Sequence, residues 1–598
     1  MQIRKISLLA ALLLGVSLLP VLPIQPAGAA TFTVTRTGDP SPNGCRRNDC
    51  SLREAVIAAN NHSGPDTIKL GPGRYELTRP APDEDEARTG HLDILKNVTI
   101  TGAGPSRTII DGNGNDRIFH TSELVDKGVI SGLAVKGGSI LVDEAQEQGG
   151  GGLLNLGKLT LANTLFENNQ ARVEAPGGGI SNHGKLVVKN SRITGNRARG
   201  EGVGGGIDNP TGRLVLRNSR VDHNQADGSF GAGLYAQFSR VSILNSTIDH
   251  NRLLSGCCGG GVYAGESTTL EAVDSSFNSN FVFGCCGSGL MVDDAEALVR
   301  RSVIKDNSVE GCCGGGVMAQ SNADVVLRDT LLARNKAQGC CAGGLIIQSG
   351  SDATLVNSRV LNNKVLTGCC AGGLMNQGGR LTLNGTLVKG NESPAGGGGG
   401  IVVQSSAVAL VMKKSTVAKN STAGDGGGIR ISDSPSVELT NSTISGNTAG
   451  ALGGGIWEDT TSAIALTHVT VTKNEASGPG GGISTDGGTW SVLRSIIGGN
   501  TDDCNAPLTG PTGVNLDKDG TCFAGLAAIH AAPRLRPLAD NGGQTPTHNP
   551  RRSSAAVDSV PRSACPPLDR DQRGVRRPQN GDGQPGKKCD VGAVERKS

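Results

Sequence analysis

Runs of small residues, each followed by one aliphatic residue, recur along the chain. The aliphatics are Leu153, Ile180, Ile207, Leu234, Val262, Leu290, Val317, Leu345, Leu374, Ile401, Ile429, Ile456 and Ile483, spaced by 27 to 29 residues. A second column has the form aliphatic-x-x-Asn and gives Asn169, Asn196, Asn224, Asn251, Asn280, Asn307, Asn335, Asn363, Asn391, Asn420, Asn447, Asn474 and Asn500. Two independent columns with one period define a solenoid of thirteen clear repeats. Between them lie short alternating runs such as Leu159 and Leu161, Leu186 and Val188, and Leu381 and Leu383. A period of two specifies strand, not helix. The pattern predicts an all-β protein, a right-handed parallel β-helix of about 27–28 residues per coil with three short strands each. Gly and Asn tolerate left-handed corners, and an Asn at one corner of every coil can pass an amide hydrogen bond to the Asn above. With coils about 4.8 Å apart, thirteen repeats make a rod of roughly 60 Å.

The ends depart from the period. Ser51-Leu52-Arg53-Glu54 has the form of a capping box, and Leu52, Ala55, Val56 and Ala59 continue it as an apolar helical stripe ending at Asn60 and Asn61. A short N-terminal capping helix is therefore expected to cover the open strand edge. Residues from Asp66 to roughly Gly149 read as two or three less regular coils, including Val98-Thr99-Ile100 and Thr108-Ile109-Ile110. After Asn500 the repeat stops. The division expected is a leader at 1–30, a cap at 31–80, the β-helix at 81–500 and a C-terminal module at 501–598.

Composition narrows the core and the compartment. The 598 residues include 91 Gly but 9 Phe, 3 Tyr and 2 Trp, so the core must be built from Ile, Leu, Val and Ala. A net charge of +3 excludes a polybasic nucleic-acid binder. The Gly runs precede neither Lys-Ser/Thr nor a helix, which excludes a phosphate loop, and nothing in the sequence requires a cofactor. Arg4 and Lys5 precede an uncharged run from Ile6 to Leu19, then Pro20, Pro23 and the small residues Ala27, Gly28, Ala29 and Ala30. This is the layout of a cleaved signal peptide, too short for a membrane anchor. No later segment could span a bilayer. The mature chain is expected to be secreted or held at the cell surface, where disulfides persist. Cys45 with Cys50, Cys504 with Cys522, and Cys565 with Cys589 are the expected pairs outside the repeats.

Three segments resemble known modules. Cys50-Ser51-Leu52-Arg53-Glu54-Ala55, with Ala58-Ala59-Asn60 and Asp66-Thr67-Ile68, resembles the bacterial CSLREA domain of exported β-helix proteins. The tail is similar to the choice-of-anchor Q module at Pro537-Leu538-Ala539-Asp540-Asn541-Gly542-Gly543, at Asp571-Gln572-Arg573-Gly574 and at Cys589-Asp590-Val591-Gly592-Ala593-Val594-Glu595. The repeats are similar to those of polymorphic outer membrane proteins, as in Ile248-x-x-Asn251 and Phe277-x-x-Asn280. The resemblance implies export and a rod-shaped, pectin lyase-like body.

Two functions compete. One is a non-enzymatic structural or adhesive rod whose partner is an extracellular glycan or a cell-surface protein. The other is a polysaccharide lyase or glycoside hydrolase, which needs convergent carboxylates. The candidates are Glu266, Asp293 and Asp294; solvated turn carboxylates are the plainer reading, so no catalytic set is assigned. Asp222-His223 stacked under Asp249-His250 could converge on a metal, but polar residues are expected in that turn anyway. Gln320, Gln348, Gln377 and Gln404 share one register and read as a stacked amide ladder. Five Cys-Cys pairs, Cys257-Cys258, Cys285-Cys286, Cys312-Cys313, Cys340-Cys341 and Cys369-Cys370, form two columns of five. Val203, Phe230 and Leu452 occupy the second column in other coils, so that column is expected to face the core and the first to face outward. Bridges between coils are the expected state of these cysteines, with at most two free thiols; vicinal bridges and a thiolate metal site are the alternatives.

Overall fold

The computed structural model describes residues 28–597 apart from 81–85, 142–148, 173–174, 229, 257, 285, 312, 340–341, 369, 395, 405–406, 434, 460–461, 524–527, 566–567 and 585. Most of the leader read at 1–30 lies outside the described residues. Each regular coil carries four strands rather than three, as in Leu290–Asp293, Glu296–Arg300, Val303–Lys305 and Ser308–Glu310. They define four faces, named first to fourth in that order. Every strand pairs in parallel with the same face of the next coil: Leu290 with Val317, Val299 with Leu327, Ile304 with Leu332 and Val309 with Ala337. Among the described residues this builds a 15-stranded sheet on the first face, an 18-stranded sheet on the second and a 13-stranded sheet on the fourth. Leu290, Val292, Ala297, Val299 and Ile304 alternate inward and are buried. Their columns fill the tube in aliphatic layers, as the shortage of aromatics requires. The fourth-face column Ala198, Ala226, Leu253, Val282, Val309, Ala337 and Val365 forms a separate apolar cluster.

Asparagine marks the corner between the third and fourth faces. From Asn169 to Asn500 each Nδ2 donates to the Oδ1 of the Asn one coil on, at 2.9–3.1 Å. The same Oδ1 accepts the backbone N–H of the preceding Asn, as Asn335 Oδ1 does from Asn307 N at 3.1 Å. The second hydrogen of each amide goes to a carbonyl one coil back, as from Asn335 to Ile304 at 3.1 Å. An amide has two donors and two acceptor positions, and all four are used. The ladder ends as its polarity demands. Gly138 N–H supplies the acceptor end at Asn169 Oδ1, 2.9 Å, and the Asp503 carboxylate, which can only accept, receives Asn500 Nδ2 at 3.1 Å.

The left-handed corner residue is the one before each ladder Asn, for example His223 (φ 55°), His250 (φ 54°) and Lys419 (φ 54°). The ladder also explains the glycine immediately before the aliphatic column. A Cβ on Gly316 would stand 2.6 Å from Gly344 O, 2.7 Å from Leu332 Cδ1 and 2.9 Å from Asn335 Nδ2. A second ladder runs at the corner between the second and third faces, where Ser191 N–H donates to Ser219 Oγ at 3.2 Å and Ser219 N–H to Ser246 Oγ at 3.1 Å. Of the glutamine register, Gln348 Nε2 donates to Gln377 Oε1 at 2.9 Å.

The expected capping helix forms at Leu52–Asn61, with Ser51 and Glu54 closing a reciprocal box. Thr31–Thr33 and Asp66–Lys69 pair in parallel and continue onto Val98–Thr101, so the second sheet already runs through the cap. Disulfides join Cys45 to Cys50, Cys504 to Cys522 and Cys565 to Cys589. The C-terminal segment folds back along the third face of the last coils. Gln572 Nε2 donates to Ser415 O and Thr416 Oγ1, its Oε1 accepts from Thr443 Oγ1, and Ala593 N–H donates to Thr470 Oγ1. Buried Arg577 anchors the segment through Glu595 at 2.9 Å. The seat is cut in the sequence: Thr416, Thr443 and Thr470 replace the outward arginines found at Arg192 and Arg220.

Gly316→Ala is expected to lower the denaturation midpoint by the equivalent of about 1–3 kcal/mol, the usual range for forcing atoms into a closed site. Gly38→Ala, where nothing lies within 4 Å of the added methyl, is expected to change it by less than about 0.5 kcal/mol. Urea unfolding of both variants measures the difference.

Candidate functional site

The Asp-His pairs lie at the ends of third-face strands Arg220–Asp222 and Thr247–Asp249, with Asp222 in register with Asp249. The His223 and His250 rings stack at 5.0 Å, almost parallel, and each Nδ1 bonds its own neighbouring aspartate, at 2.8 and 2.9 Å. The carboxylates do not converge on a vacant centre. Arg192 forks Asp222 at 2.8 and 2.5 Å, and Arg220 forks Asp249 at 2.9 and 2.6 Å. Burial alone would raise the Asp222 pKa, but hydrogen bonds from Arg192 and His223 outweigh it and hold the group ionised below the usual range. The metal reading of Asp222, His223, Asp249 and His250 is therefore not favoured, because a cation would have to displace two guanidinium forks. The two imidazoles instead edge an open groove of about 660 Å³ with Arg252, Phe281, Phe283 and Glu310. Arg252 lies over the Phe281 ring at 5.0 Å, and Phe283 is 56% exposed.

The carboxylates considered for acid–base work are engaged separately. Tyr263 OH donates to Asp293 Oδ2 at 3.0 Å, and Gln237 Nε2 to Glu266 Oε2 at 3.1 Å. Asp294 is a left-handed corner residue, φ 51°. Tyr235 and Tyr263 stack at 5.3 Å. Burial first, and then Asp208 and Glu266, push the Tyr235 phenol up to about 12; burial and Asp293 raise that of Tyr263 further. Neither phenol is poised to exchange a proton near neutral pH.

These tyrosines belong to an outward column of the first face that runs Ser181, Asp208, Tyr235, Tyr263, Met291, Met318, Ile346, Met375, Val402. The connection from the fourth face folds over it. Cys258, Cys286 and Cys370 thus pack with Tyr263, Met291, Met318 and Ile346 in a lateral apolar cluster outside the tube core. Of the second cysteine column, expected to face the core, Cys258, Cys286 and Cys370 are buried and Cys313 half-buried, all in this flank rather than in the core. Cys258 and Cys286 are free thiols. Hydrogen bonds to Cys258 and Cys313, and then burial, push the Cys286 thiol above its usual range. Cys257, Cys285, Cys312, Cys340, Cys341 and Cys369 lie outside the described residues.

Two features of this column escaped the sequence reading. Asp208 is fully buried, accepts one bond from Ser181 Oγ at 2.8 Å and has no partner at Oδ1. At the N-terminal end, Asp93 stands in register with His120, and His91 joins them. The signal was present, since Asp93 and His120 are 27 residues apart, but those coils lack the glycine run that marks the others.

The right-handed β-helix region model matches residues 95–299, 237–412 and 284–501, which together cover more than two thirds of the chain. The chain belongs to the right-handed β-helix family. No characterised protein matches it by sequence. Among solved structures, this β-helix chain is similar to the A-module of Azotobacter vinelandii mannuronan C-5 epimerase AlgE6, at 13% identity and TM-score 0.24, over 81% of this chain and 97% of that one. It is also similar to pectate lyase Pel9A, at 13% and 0.23 over 95% and 96%, and to the PL6 family alginate lyase AlyGC, at 11% and 0.20 over 83% and 100%. Likeness at this level carries no argument about activity. Among the described residues no helix is long and apolar enough to cross a membrane.

Burial raises the Asp208 carboxyl from 3.8 to about 7. The folded β-helix then holds a proton that the unfolded chain releases between those values, so stability is lost as pH rises from about 4 to about 7 and is level above that. The melting temperature of the wild type is expected to fall relative to Asp208→Asn across that window. A pH-independent difference between the two would contradict the assignment.

Proposed function

We propose that the protein is an exported, non-enzymatic rod that serves outside the cell as a structural or adhesive element and binds an extracellular glycan. The observation that carries this reading is how the outward polar groups are used. Asp222 and Asp249 are each forked by an arginine of the preceding coil, Asp293 is held by Tyr263 and Glu266 by Gln237. Among the described residues these candidate carboxylates are spent on joining coils and do not pair with one another as an acid and a base. Export is supported by three disulfides, by the signal-peptide layout of the first 30 residues, and by the resemblance of the two ends to the CSLREA and choice-of-anchor Q modules. The groove at mid-rod sets the exposed Phe283 ring beside Arg252 and two imidazoles, a combination suited to an acidic sugar.

Incubation of the purified protein with a panel of uronic-acid and neutral glycans, with and without calcium, tests the reading. Binding of acidic glycans without chain cleavage, weakened about tenfold or more by Arg252→Ala, is the expected result. Cleavage abolished by Asp293→Ala would replace the rod with a lyase or hydrolase. Failure to bind any glycan would move the adhesive role to a protein partner.

A further inference from the structure

The first two coils of the first face place three metal-ligating side chains at one point. Strand Leu92–Ile94 carries Asp93, and strand Phe119–Thr121 sets His120 directly beside it one coil on. Asp93 Oδ1 is 2.9 Å from His120 Nδ1 and 3.1 Å from His91 Nε2. The three donor atoms lie within 4.8 Å of one another, and the Asp93 side chain is fully buried. The surroundings orient each donor. Ala87 N–H occupies Asp93 Oδ2 at 3.0 Å, which leaves Oδ1 for the centre. Asp116 Oδ2 takes both the backbone N–H and Nδ1 of His91, at 2.9 and 3.0 Å, and so aims Nε2 inward. A carboxylate behind a ligating imidazole is the arrangement that fixes a metal-binding histidine. The remaining ring nitrogen of His120, Nε2, is buried without a hydrogen-bond partner.

We propose that His91, Asp93 and His120 form a binding site for a divalent transition-metal ion of the zinc class, which ties the first coils to the N-terminal cap. Two imidazoles and one carboxylate suit zinc rather than calcium, which takes six to eight oxygens. Donors at about 2.0–2.2 Å from a tetrahedral ion stand about 3.3 Å apart, so the two separations from Asp93 Oδ1 need to open by a few tenths of an ångström. Arg53 holds the adjoining loop through the carbonyls of Ala87, Gly90 and His91 and is itself held by Asp39. An ion on Asp93 would therefore connect the capping helix to two successive coils.

Calorimetric titration of tag-free, chelator-treated full-length protein with zinc, with magnesium and calcium as controls, tests the site. The wild type is expected to bind one more equivalent of zinc than His120→Ala or His120→Gln, and to melt at a higher temperature when zinc is added. Asp116→Asn is expected to weaken zinc binding about 10–100-fold. The two His120 variants, checked by circular dichroism for the wild-type β spectrum, are expected to gain no thermal stability from zinc. If either folded variant binds as many equivalents as the wild type, or if the wild type binds none, the proposal is overturned. Should both variants fail to fold, absorption bands of tetrahedral cobalt(II) in the wild type support the site, and their absence overturns it.

Discussion

A buried asparagine amide closes each regular coil, and the rest of the rod is arranged around keeping that amide fully bonded. An unmade hydrogen bond at such a group costs about 1–3 kcal/mol, and the ladder has thirteen of them in series. The backbone at the corner must turn left-handed just before the Asn, and the glycine facing the amide must have no side chain. The aliphatic residue that follows then falls into the tube at the same height in every coil. Sheet register thus follows from the ladder. A one-residue slip would break the amide chain as well as turn the aliphatic columns outward.

The outer faces show what is left once the ladder is satisfied. On the third face, Arg192 and Arg220 reach to the next aspartates and clamp neighbouring coils, whereas far along the same register Thr416, Thr443 and Thr470 seat the C-terminal segment. On the first face, the glycine-rich connection covers an outward column and turns it into a second apolar layer. Asp208 sits in that layer one coil before the tyrosine stack, which explains its raised pKa. The molecule is therefore a tube with one flank roofed and one strapped.

Much of this was legible because a solenoid repeats its physics. The two columns set the period, the parallel pairing and the ladder, and the Ser51–Glu54 box placed the helix. The fourth strand was not legible: in most coils it is two or three residues long and turns a single Ala or Val inward, too short to show a period. The stacking of Asp222-His223 on Asp249-His250 was read correctly from the 27-residue spacing, whereas their occupancy by Arg192 and Arg220 depended on side-chain reach between coils. The cysteine columns were seen, but their surroundings were not, because sequence period fixes height along the rod and not which side of a sheet a loop folds over. His91, Asp93 and His120 were missed in coils where the repeat is irregular.

A double-mutant cycle on adjacent rungs of the ladder tests the central claim most directly. Asn307 and Asn335 are bonded to each other at 2.9 Å, whereas Asn169 and Asn474 lie far apart in the stack. Denaturation midpoints of the single and double alanine variants give the coupling. If the ladder is one bonded chain, each single variant is strongly destabilised and the adjacent double costs clearly less than the sum, while the distant pair is additive. Additive adjacent substitutions, or singles that unfold with the wild type, would contradict the account.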